Sequence, residues 1–255
     1  MIEVGHTIVL PRFGNLDPKD VDQKGPGDLV TVADHEAEDA ISQALLRLTP
    51  GALVVGEEGA FANPRLLADL AAAELAWVID PIDGTRNFVK QSPDFAIIVA
   101  EVRAGTTVAG WIYLPAYETM YVGELGGGVT VDGTRIEPRT QTRDLLRGAA
   151  YVRVEPCELD LRRGWGSCGI DYPKLLTGEA DFLAYRQGLP WDHLAGTLMV
   201  TELGGRAATW AGQEYGTGHM DAPISVIPAA DWDRVRTNLR PVPPRSPSRP
   251  RPDHR

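Results

Sequence analysis

One hexapeptide restricts the fold of this chain more than any other segment. Asp80-Pro81-Ile82-Asp83-Gly84-Thr85 directly follows the apolar run 75–79, which predicts a short buried strand. Pro81 fixes its own φ and lacks a backbone donor, so the chain turns sharply where the strand ends. Both aspartates can then face one point, and Gly84 allows a ligand to approach the backbone closely. The pattern predicts a protein of the α/β or α+β class with a ligand site at the end of this strand.

Three further acidic segments have similar settings. Asp34 lies just before a predicted helix, Glu57 and Glu58 follow a predicted strand over 52–55, and Asp192 lies at a predicted helix start. Carboxylates gathered at one place repel one another unless they are protonated or neutralised. A hard divalent cation with oxygen ligands neutralises them, and the sequence has no His or Cys cluster that would favour a softer metal. The segments together predict a site for Mg²⁺, with Mn²⁺ as the alternative.

The residues after the hexapeptide add an anion site. The segment 85–88 can open a helix, whose free N–H groups and positive dipole end suit a phosphate. Two metal ions ~3.5–4 Å apart can activate a water and stabilise a leaving oxygen. Metal ligands beside an anion cradle therefore indicate phosphoryl transfer.

Each acidic segment also has a plainer interpretation when it is taken alone. Asp34 and Asp192 fit helix caps, Glu57-Glu58 fits a solvated turn, and the hexapeptide fits an ordinary turn. Their occurrence together, in this order, favours a shared site over four separate coincidences.

Charge and composition exclude several classes of function. The net charge is −10, and the segment from Arg240 onward holds five arginines and one aspartate, so the body is more acidic still. General nucleic-acid binding needs a basic footprint, which this body lacks. No apolar run approaches the ~20 residues of a membrane span, and the N-terminus has no features of a secretory signal. Cys157 and Cys168 match no CxxC or zinc spacing, so we expect reduced thiols in a cytoplasmic protein.

The order of predicted strands and helices, together with local composition, divides the chain into three parts. Residues 1–145 form an N-terminal α+β part with most of the metal ligands, in which 15–27 reads as a loop and 95–136 as an antiparallel meander. Residues 146–239 alternate strands and helices, as α/β proteins do. Residues 240–255 are rich in Pro and Arg and predict a disordered tail.

The motifs resemble those of a known family. DLVTVADHEAED, VVGEEG, WVIDPIDGTRNF and LPWDHLAGTLMVTELGG are similar to the ordered signatures of the inositol monophosphatase family, over about residues 5 to 239. Relatives within this group act on fructose 1,6-bisphosphate, histidinol phosphate and 3′-phosphoadenosine 5′-phosphate. The resemblance implies a layered αβαβα sandwich of the inositol monophosphatase and fructose-1,6-bisphosphatase type. It also implies a lithium-sensitive phosphoric monoester hydrolase that forms a homodimer.

The resemblance implies a role for each matching position. Glu57, Asp80 and the carbonyl of Ile82 would bind one metal ion, Asp80, Asp83 and Asp192 a second, and Glu57 a weaker third. Asp34 and Thr85 would orient and deprotonate the attacking water, so the implied catalytic residues are Asp34, Thr85 and Glu57. The amides of Gly84 and Thr85 would hold the phosphate. Glu58 would support the metal ligands or contact a metal weakly.

Two positions concern the substrate. Inositol-specific members carry a glutamate seven residues before the metal-binding aspartate that corresponds to Asp192, and here that position is Tyr185. Tyr185 and Asp192 are therefore predicted to contact a substrate other than inositol 1-phosphate. Ser167 is either a further substrate contact or a helix cap.

The function predicted from the sequence is Mg²⁺-dependent hydrolysis of a small phosphate monoester by a metal-activated water. The ester is inositol-phosphate-like or another polyol or sugar phosphate. The alternatives are a histidinol-phosphate, sugar-bisphosphate or nucleotide 3′-phosphatase and, from another class, a catalytically silent module that binds metal or phosphate. The expected partners are small molecules and a second copy of the chain, with no nucleic-acid polymer and no membrane.

Overall fold

The computed structural model describes residues 1–25, 28–155 and 157–242, and the structural statements below refer to these residues. The helices are α1 Ile2–Val4, α2 Leu10–Arg12, α3 Val32–Leu48, α4 Glu57–Ala62, α5 Arg65–Leu70, α6 Thr85–Val89, α7 Cys168–Leu176, α8 Pro190–Glu202 and α9 Trp232–Asn238. A π-helical segment, Gly5–Val9, joins α1 to α2, and short 3₁₀ turns lie at Pro18–Asp20, Pro115–Tyr117 and Ala229–Asp231.

The strands form two large sheets and one hairpin. They are β1 Val21–Gly25, β2 Asp28–Thr31, β3 Leu53–Gly56, β4 Leu75–Asp83, β5 Ala96–Arg103, β6 Thr106–Leu114, β7 Thr119–Glu124, β8 Gly128–Val131, β9 Thr134–Ile136, β10 Arg147–Ala150, β11 Asp160–Arg162, β12 Phe182–Ala184, β13 Arg206–Thr209 and β14 Pro223–Val226. β1 and β2 pair as an antiparallel hairpin.

The first large sheet follows the chain in the order β3-β4-β5-β6-β7-β8-β9. β3 and β4 are parallel, and every later pair is antiparallel. The predicted meander thus extends from a parallel pair, and the turns between its strands are short because antiparallel neighbours need no crossover.

The second sheet has the order β11-β10-β12-β14-β13. β10 lies parallel to both β11 and β12, whereas β14 is antiparallel to β12 and β13. Helix α7 connects β11 to β12, and α8 connects β12 to β13. Both helices begin on the same side of the molecule as the end of β4, since residues of all three meet there as described below.

Three apolar clusters show how these elements are layered. Val9 and Ala37 cover one face of the first sheet, against Trp77 and Ile79. The opposite face packs on α7 and α8, which also cover the second sheet, and α9 packs on the far face of that sheet through Trp232. The order is helix, sheet, helix, sheet, helix, and the predicted αβαβα sandwich is confirmed.

Strand β4 shows how the sequence produces this layering. Side chains of a strand alternate between the two faces of a sheet. Ala76 and Val78 accordingly enter the central layer, and Trp77 and Ile79 enter the outer one. Because both faces are covered, the strand is apolar throughout instead of alternating with polar residues.

Two differences from the sequence analysis have local causes. The predicted loop 15–27 contains strand β1, since Val21 pairs with Thr31 in a ribbon that has no apolar periodicity to reveal it. The predicted tail begins too early, because Glu155 N donates to Arg240 O at 3.0 Å and Val242 N to Arg153 O at 2.8 Å. The rest of that predicted tail, 243–255, lies outside the described residues.

The division at residue 145 remains a prediction. The two sheets lie on either side of that position, but the central apolar cluster is shared, since Val55 and Ala149 belong to it together. Among the described residues, no helix combines the length and apolar character needed to cross a membrane.

Candidate active site

The site is built around the end of β4. Between Asp80 and Asp83 the strand gains one residue over β5, a β-bulge that ends the regular pairing. Gly84 then takes a left-handed φ of +84°. A Cβ there would lie 2.9 Å from Cβ of Ser167 and 3.1 Å from the carbonyl oxygen of Asp94. Glycine is therefore required both for the conformation and for the close approach of the neighbouring segment.

Three predicted metal ligands converge beside this bulge. A carboxylate oxygen from each of Asp80, Asp83 and Asp192 lies within 4.8 Å of the others. Asp192 reaches the group from the first turn of α8, as the third residue of that helix instead of its cap. The helix-cap interpretation of Asp192 is therefore wrong.

Asp80 is the most deeply buried member of this group. It is 1% exposed, and its Oδ1 has no hydrogen-bond partner in the described part of the chain. Burial raises the pKa of Asp80 well above its ordinary value, and the nearby charges of Glu57, Asp83 and Asp192 raise it further. An unpartnered buried oxygen facing other carboxylates matches the oxygen donor set of a hard divalent cation, so these residues fit the implied Mg²⁺.

Asp83 is held by the beginning of α7. The hydroxyl of Ser167 and the amides of Cys168 and Gly169 donate to its carboxylate, the last at 2.6 Å to Oδ2. Burial raises the pKa of Asp83, whereas the hydrogen bonds from these three donors lower it, and burial has the larger effect. The hydroxyl of Ser167 is thus bound to Asp83 and makes no cap hydrogen bond in α7. A substrate contact by Ser167 remains a prediction.

The predicted water-orienting pair is in contact. The Thr85 hydroxyl lies 3.2 Å from Asp34 Oδ1 and 3.0 Å from the carbonyl oxygen of Ile82. The other oxygen of Asp34 accepts from the amide of Thr31 at 2.8 Å and from its hydroxyl at 2.5 Å, which forms a capping box at the start of α3. Asp34 is therefore both a capping residue and a partner of Thr85. Burial raises its pKa to about 6.

Lys24 is a site residue that the sequence analysis missed. Its Nζ lies 2.5 Å from Glu57 Oε1 and 3.0 Å from Glu58 Oε1, and its side chain is 6% exposed. Burial alone would lower the pKa of Lys24, but the two carboxylates outweigh burial and raise it. Burial raises the pKa of Glu57 to about 7, despite Lys24. The solvated-turn interpretation of Glu57-Glu58 is wrong, because Glu58 is buried and both carboxylates form ion pairs with the ammonium group of Lys24.

A second missed residue fixes the helix that carries these glutamates. The Glu38 carboxylate accepts the amides of Glu58 and Gly59, both at 2.8 Å, at the first turn of α4. A Cβ on Gly56 would lie 2.1 Å from the Glu38 carboxyl carbon, so glycine before α4 makes room for it. Glu38 lies one turn after Asp34 on α3, and this spacing on a helix is the signal that could have revealed it.

Comparison with known proteins decides the family. The sequence profile described as the inositol monophosphatase family matches residues 3–233. The chain belongs to the inositol monophosphatase family. By that membership it is a phosphoric monoester hydrolase, as the sequence predicted.

Individual relatives agree with this assignment. An inositol-1-monophosphatase of Mesorhizobium japonicum is 33% identical over 76% of this chain and 76% of its own length. A fructose-1,6-bisphosphatase/inositol-1-monophosphatase of Aquifex aeolicus is 28% identical over 86% of each chain. A solved IMPase/NADP phosphatase complexed with Mg²⁺ and phosphate superposes with a TM-score of 0.78, covering 92% of this chain and 90% of its own, at 22% identity. At that identity the structural likeness shows the fold.

One position where this family member departs from the inositol-specific pattern is Tyr185. Its side chain is 5% exposed, and its hydroxyl lies 3.2 Å from Asp171 Oδ2. The hydroxyl of Tyr151 lies 2.5 Å from the same oxygen, and the two tyrosine rings stack at 5.2 Å with an interplanar angle of 7°. Burial raises the pKa of Asp171 to about 7. The structure thus places Tyr185 in a Tyr-Asp-Tyr cluster with its hydroxyl bound, and direct contact with substrate remains a prediction.

Proposed function

We propose that this chain hydrolyses a small phosphate monoester by direct attack of water on phosphorus, with Mg²⁺ as its cofactor and no covalent enzyme intermediate. The observation that carries the proposal is the meeting of three aspartates, Asp80, Asp83 and Asp192, next to the Thr85–Asp34 pair. A cation site without a water-orienting pair would support binding only. The two together support phosphoryl transfer to water.

The residues proposed to hold the cations are those that the family resemblance implies. Asp80, Asp83 and Asp192 supply clustered oxygens, Glu57 lies close enough to raise the pKa of Asp80, and the carbonyl of Ile82 faces the Thr85 hydroxyl. Bound Mg²⁺ would neutralise the carboxylates, polarise the phosphate and stabilise the leaving oxygen. We propose two or three ions for each site, with Mn²⁺ as a substitute and Glu58 as a weak contact.

The chain's own residues would handle the proton of the attacking water. The one hydroxyl proton of Thr85 has two acceptors, Asp34 Oδ1 at 3.2 Å and the Ile82 carbonyl at 3.0 Å. With the Ile82 carbonyl given to a cation, Thr85 would donate to Asp34, and its oxygen would accept a hydrogen bond from water. Asp34 receives the proton through this hydroxyl. A carboxylate whose pKa is about 6 is well suited to accept a proton near neutral pH.

The phosphate would lie on the amides of Gly84 and Thr85. The left-handed turn at Gly84 leaves no Cβ between the backbone and a bound group. Glu57 would contribute indirectly, by holding a cation that contacts the phosphate bound to these amides.

The organic part of the substrate is proposed at a coarser level. The position that holds a hydroxyl-binding glutamate in inositol-specific members is a buried tyrosine here, which favours a polyol or sugar phosphate other than inositol 1-phosphate. Histidinol phosphate, sugar bisphosphates and nucleotide 3′-phosphates are the alternatives, and the name of the Aquifex relative fits a sugar bisphosphate. The silent binding module is disfavoured, because Thr85 and Asp34 remain in contact.

Three further properties are proposed, the first two from the family resemblance and the third from the cysteines. We propose inhibition by lithium, a homodimer, and a cytoplasmic location, the last supported by the two free cysteines. Each has a direct measurement: activity against lithium concentration, molar mass in solution, and localisation of the tagged chain.

The experiment that tests the function is phosphate release from a panel of monoesters, with Mg²⁺ and with a chelator. The panel holds inositol 1-phosphate, histidinol phosphate, fructose 1,6-bisphosphate and 3′-phosphoadenosine 5′-phosphate. We expect release from at least one of them with Mg²⁺ and none with chelator. Binding of Mg²⁺ without release from any ester, or release that the chelator leaves intact, would contradict the proposal.

A further inference from the structure

The structure brings together a second set of metal-binding side chains, which shares a residue with the carboxylate cluster. No cluster of Cys and His was expected from the sequence, because these residues are far apart along the chain. One ligand atom from each of Cys168, Asp192 and His193 lies within 4.8 Å of the others. Cys168 begins α7, whereas Asp192 and His193 lie in the first turn of α8. Cys168 and Asp192 are half-buried, and His193 is 1% exposed. The set therefore lies between the two central helices, with Asp192 facing both groups.

The chemistry of this set differs from that of the carboxylate cluster. Mg²⁺ takes oxygen ligands, whereas sulfur and imidazole nitrogen together with one carboxylate are typical ligands of tetrahedral Zn²⁺. With Zn²⁺ bonds of ~2.0–2.3 Å, the ligand atoms of a tetrahedral ion lie roughly 3.3–3.8 Å apart. The three ligand atoms are no more than 4.8 Å apart, so small side-chain rotations would bring them into that range.

The tautomer of His193 suits a metal ligand. Its Nε2 lies 2.9 Å from the carbonyl oxygen of Gln187. A carbonyl accepts only, so Nε2 carries the proton and Nδ1 keeps its lone pair. Histidines that bind metals commonly donate their other ring N–H to a carbonyl or carboxylate in this way.

The lone pair of His193 faces α7. Nδ1 lies 3.1 Å from the hydroxyl of Tyr172. Tyr172 is four residues after Cys168, so both side chains lie on one face of that helix. A ring nitrogen of His193 lies within 4.8 Å of the Cys168 sulfur. Nδ1 is the nitrogen that can bind a metal without first losing a proton, so the tyrosine hydroxyl is the group that a metal would replace there.

We infer that Cys168, Asp192 and His193 bind a thiophilic divalent cation, Zn²⁺, which inhibits the enzyme by taking Asp192 from the Mg²⁺ site. On binding, the thiol of Cys168 releases its proton to solvent as the sulfur–metal bond forms, and the Tyr172 hydroxyl leaves Nδ1. No oxidation is involved. Binding of the cation is inferred from the geometry alone. Inhibition by the cation rests on the proposed function.

Cadmium is a suitable probe because its bond to a thiolate gives an ultraviolet charge-transfer absorption. The full chain, freed of metal, is titrated with Cd²⁺ and the absorption is followed. We expect saturation at one ion for each chain, and at least about tenfold weaker binding with no charge-transfer band in Cys168→Ser. Cys157→Ser is the matched control, since it removes the other thiol, and it should bind like the wild type. A band that persists in Cys168→Ser, or disappears in Cys157→Ser, would overturn the inference.

A second variant gives a change of opposite sign. Tyr172→Phe keeps the ring and removes the hydroxyl that occupies Nδ1, so Cd²⁺ and Zn²⁺ should bind several-fold more tightly than to the wild type. A merely structural role for His193 predicts no such gain, and equal or weaker binding in a folded Tyr172→Phe variant counts against the site.

Inhibition is measured separately, as phosphate release against Zn²⁺ at several Mg²⁺ concentrations. We expect competition between the two ions and a loss of sensitivity to Zn²⁺ in Cys168→Ser relative to its own rate without Zn²⁺. Non-competitive inhibition, or equal sensitivity of the variant, refutes the inhibition half. If no ester is hydrolysed with Mg²⁺ alone, the proposed function fails, while the cadmium absorption still decides whether the site exists.

Discussion

Replacing Asp80 by asparagine is expected to stabilise the metal-free protein and to abolish its turnover. Asp80 is 1% exposed, its Oδ1 has no partner among the described residues, and Glu57, Asp83 and Asp192 add negative charge around it. A buried polar atom left without a partner costs about 1–3 kcal/mol. The amide keeps the volume of the side chain and, unlike the carboxyl, is neutral and can donate to a neighbouring carboxylate without retaining a proton. We therefore expect the free energy of unfolding to rise by about 1–3 kcal/mol.

That gain corresponds to a measurable change in Tm and has a defined pH dependence. For a chain of this length, 1 kcal/mol shifts Tm by about 2–4 °C, so the whole effect is roughly 2–12 °C. Burial and the surrounding carboxylates raise the pKa of Asp80 in the folded state, so that state keeps a proton that the unfolded chain loses above about pH 4. Wild-type stability therefore falls as pH rises above about 4, and the advantage of Asp80→Asn, near zero below that pH, grows with it.

Magnesium should reverse the order of stability. A ligand that binds only the folded state adds about 2.7 kcal/mol at a concentration one hundred times its Kd. The wild type should gain this amount, and Asp80→Asn should gain much less, since it lacks the shared ligand.

The assay is urea unfolding at pH 4, 5.5 and 7, with chelator and with Mg²⁺, alongside phosphate release. Asp69→Asn is the control, because Asp69 is an exposed aspartate of α5 outside the site, and it should match the wild type throughout. The reasoning is refuted if metal-free Asp80→Asn is less stable than the wild type at pH 7, or if it gains as much from Mg²⁺. Normal phosphate release by this variant would rule out the proposed active site.

Three other substitutions test separate parts of the structure. Thr85→Ala should lower kcat about 10²–10⁴-fold with little change in Mg²⁺ affinity by calorimetry, and a loss confined to Mg²⁺ affinity would contradict its proposed role. Lys24→Gln should tighten divalent-cation binding roughly tenfold, or about 1.4 kcal/mol, because it frees Glu57 from the ammonium, and weaker binding would show that Lys24 instead supports the site. Gly196→Ala should lower the free energy of unfolding by about 1–3 kcal/mol, since its Cβ would lie 2.2 Å from Tyr172 Cδ2, whereas Gly216→Ala, with open space around it, should have almost no effect.

The parts of the molecule that the sequence predicted are those set by short-range patterns. The apolar run before Asp80 is buried on both faces of a sheet, and the hexapeptide that follows ends the strand with a bulge and a left-handed glycine. Asp192 lies 109 residues from Asp83 in sequence, and only its motif linked it to the site. The αβαβα layering and the family assignment were likewise predicted from ordered motifs and are confirmed.

The parts that the sequence did not reveal depend on contacts across the chain. Lys24 lies in a polar stretch whose pattern predicts a loop. In the structure it has no pairing partner on β2, because the register shifts between Gln23 and Gly25, and its side chain can therefore turn toward Glu57 and Glu58. Nothing in the local pattern distinguishes this lysine from a solvated one, because its partners are more than thirty residues away. The same holds for Tyr185, whose bond to Asp171 depends on how β12 and α7 pack.

The two aspartates of the hexapeptide differ in a way that explains why the site needs both halves of the sandwich. Asp83 has three donors from the start of α7, so its position is fixed before any cation arrives. Asp80 has an oxygen without a partner, and its nearest carboxylate neighbours include Asp192 from α8. A cation that binds Asp80 must therefore join the first sheet to a helix that also covers the second. Without the cation, Asp80 and Asp192 are joined across that junction only by a hydrogen bond between their side chains, so binding should tighten the packing of α8 against β4 as well as complete the site.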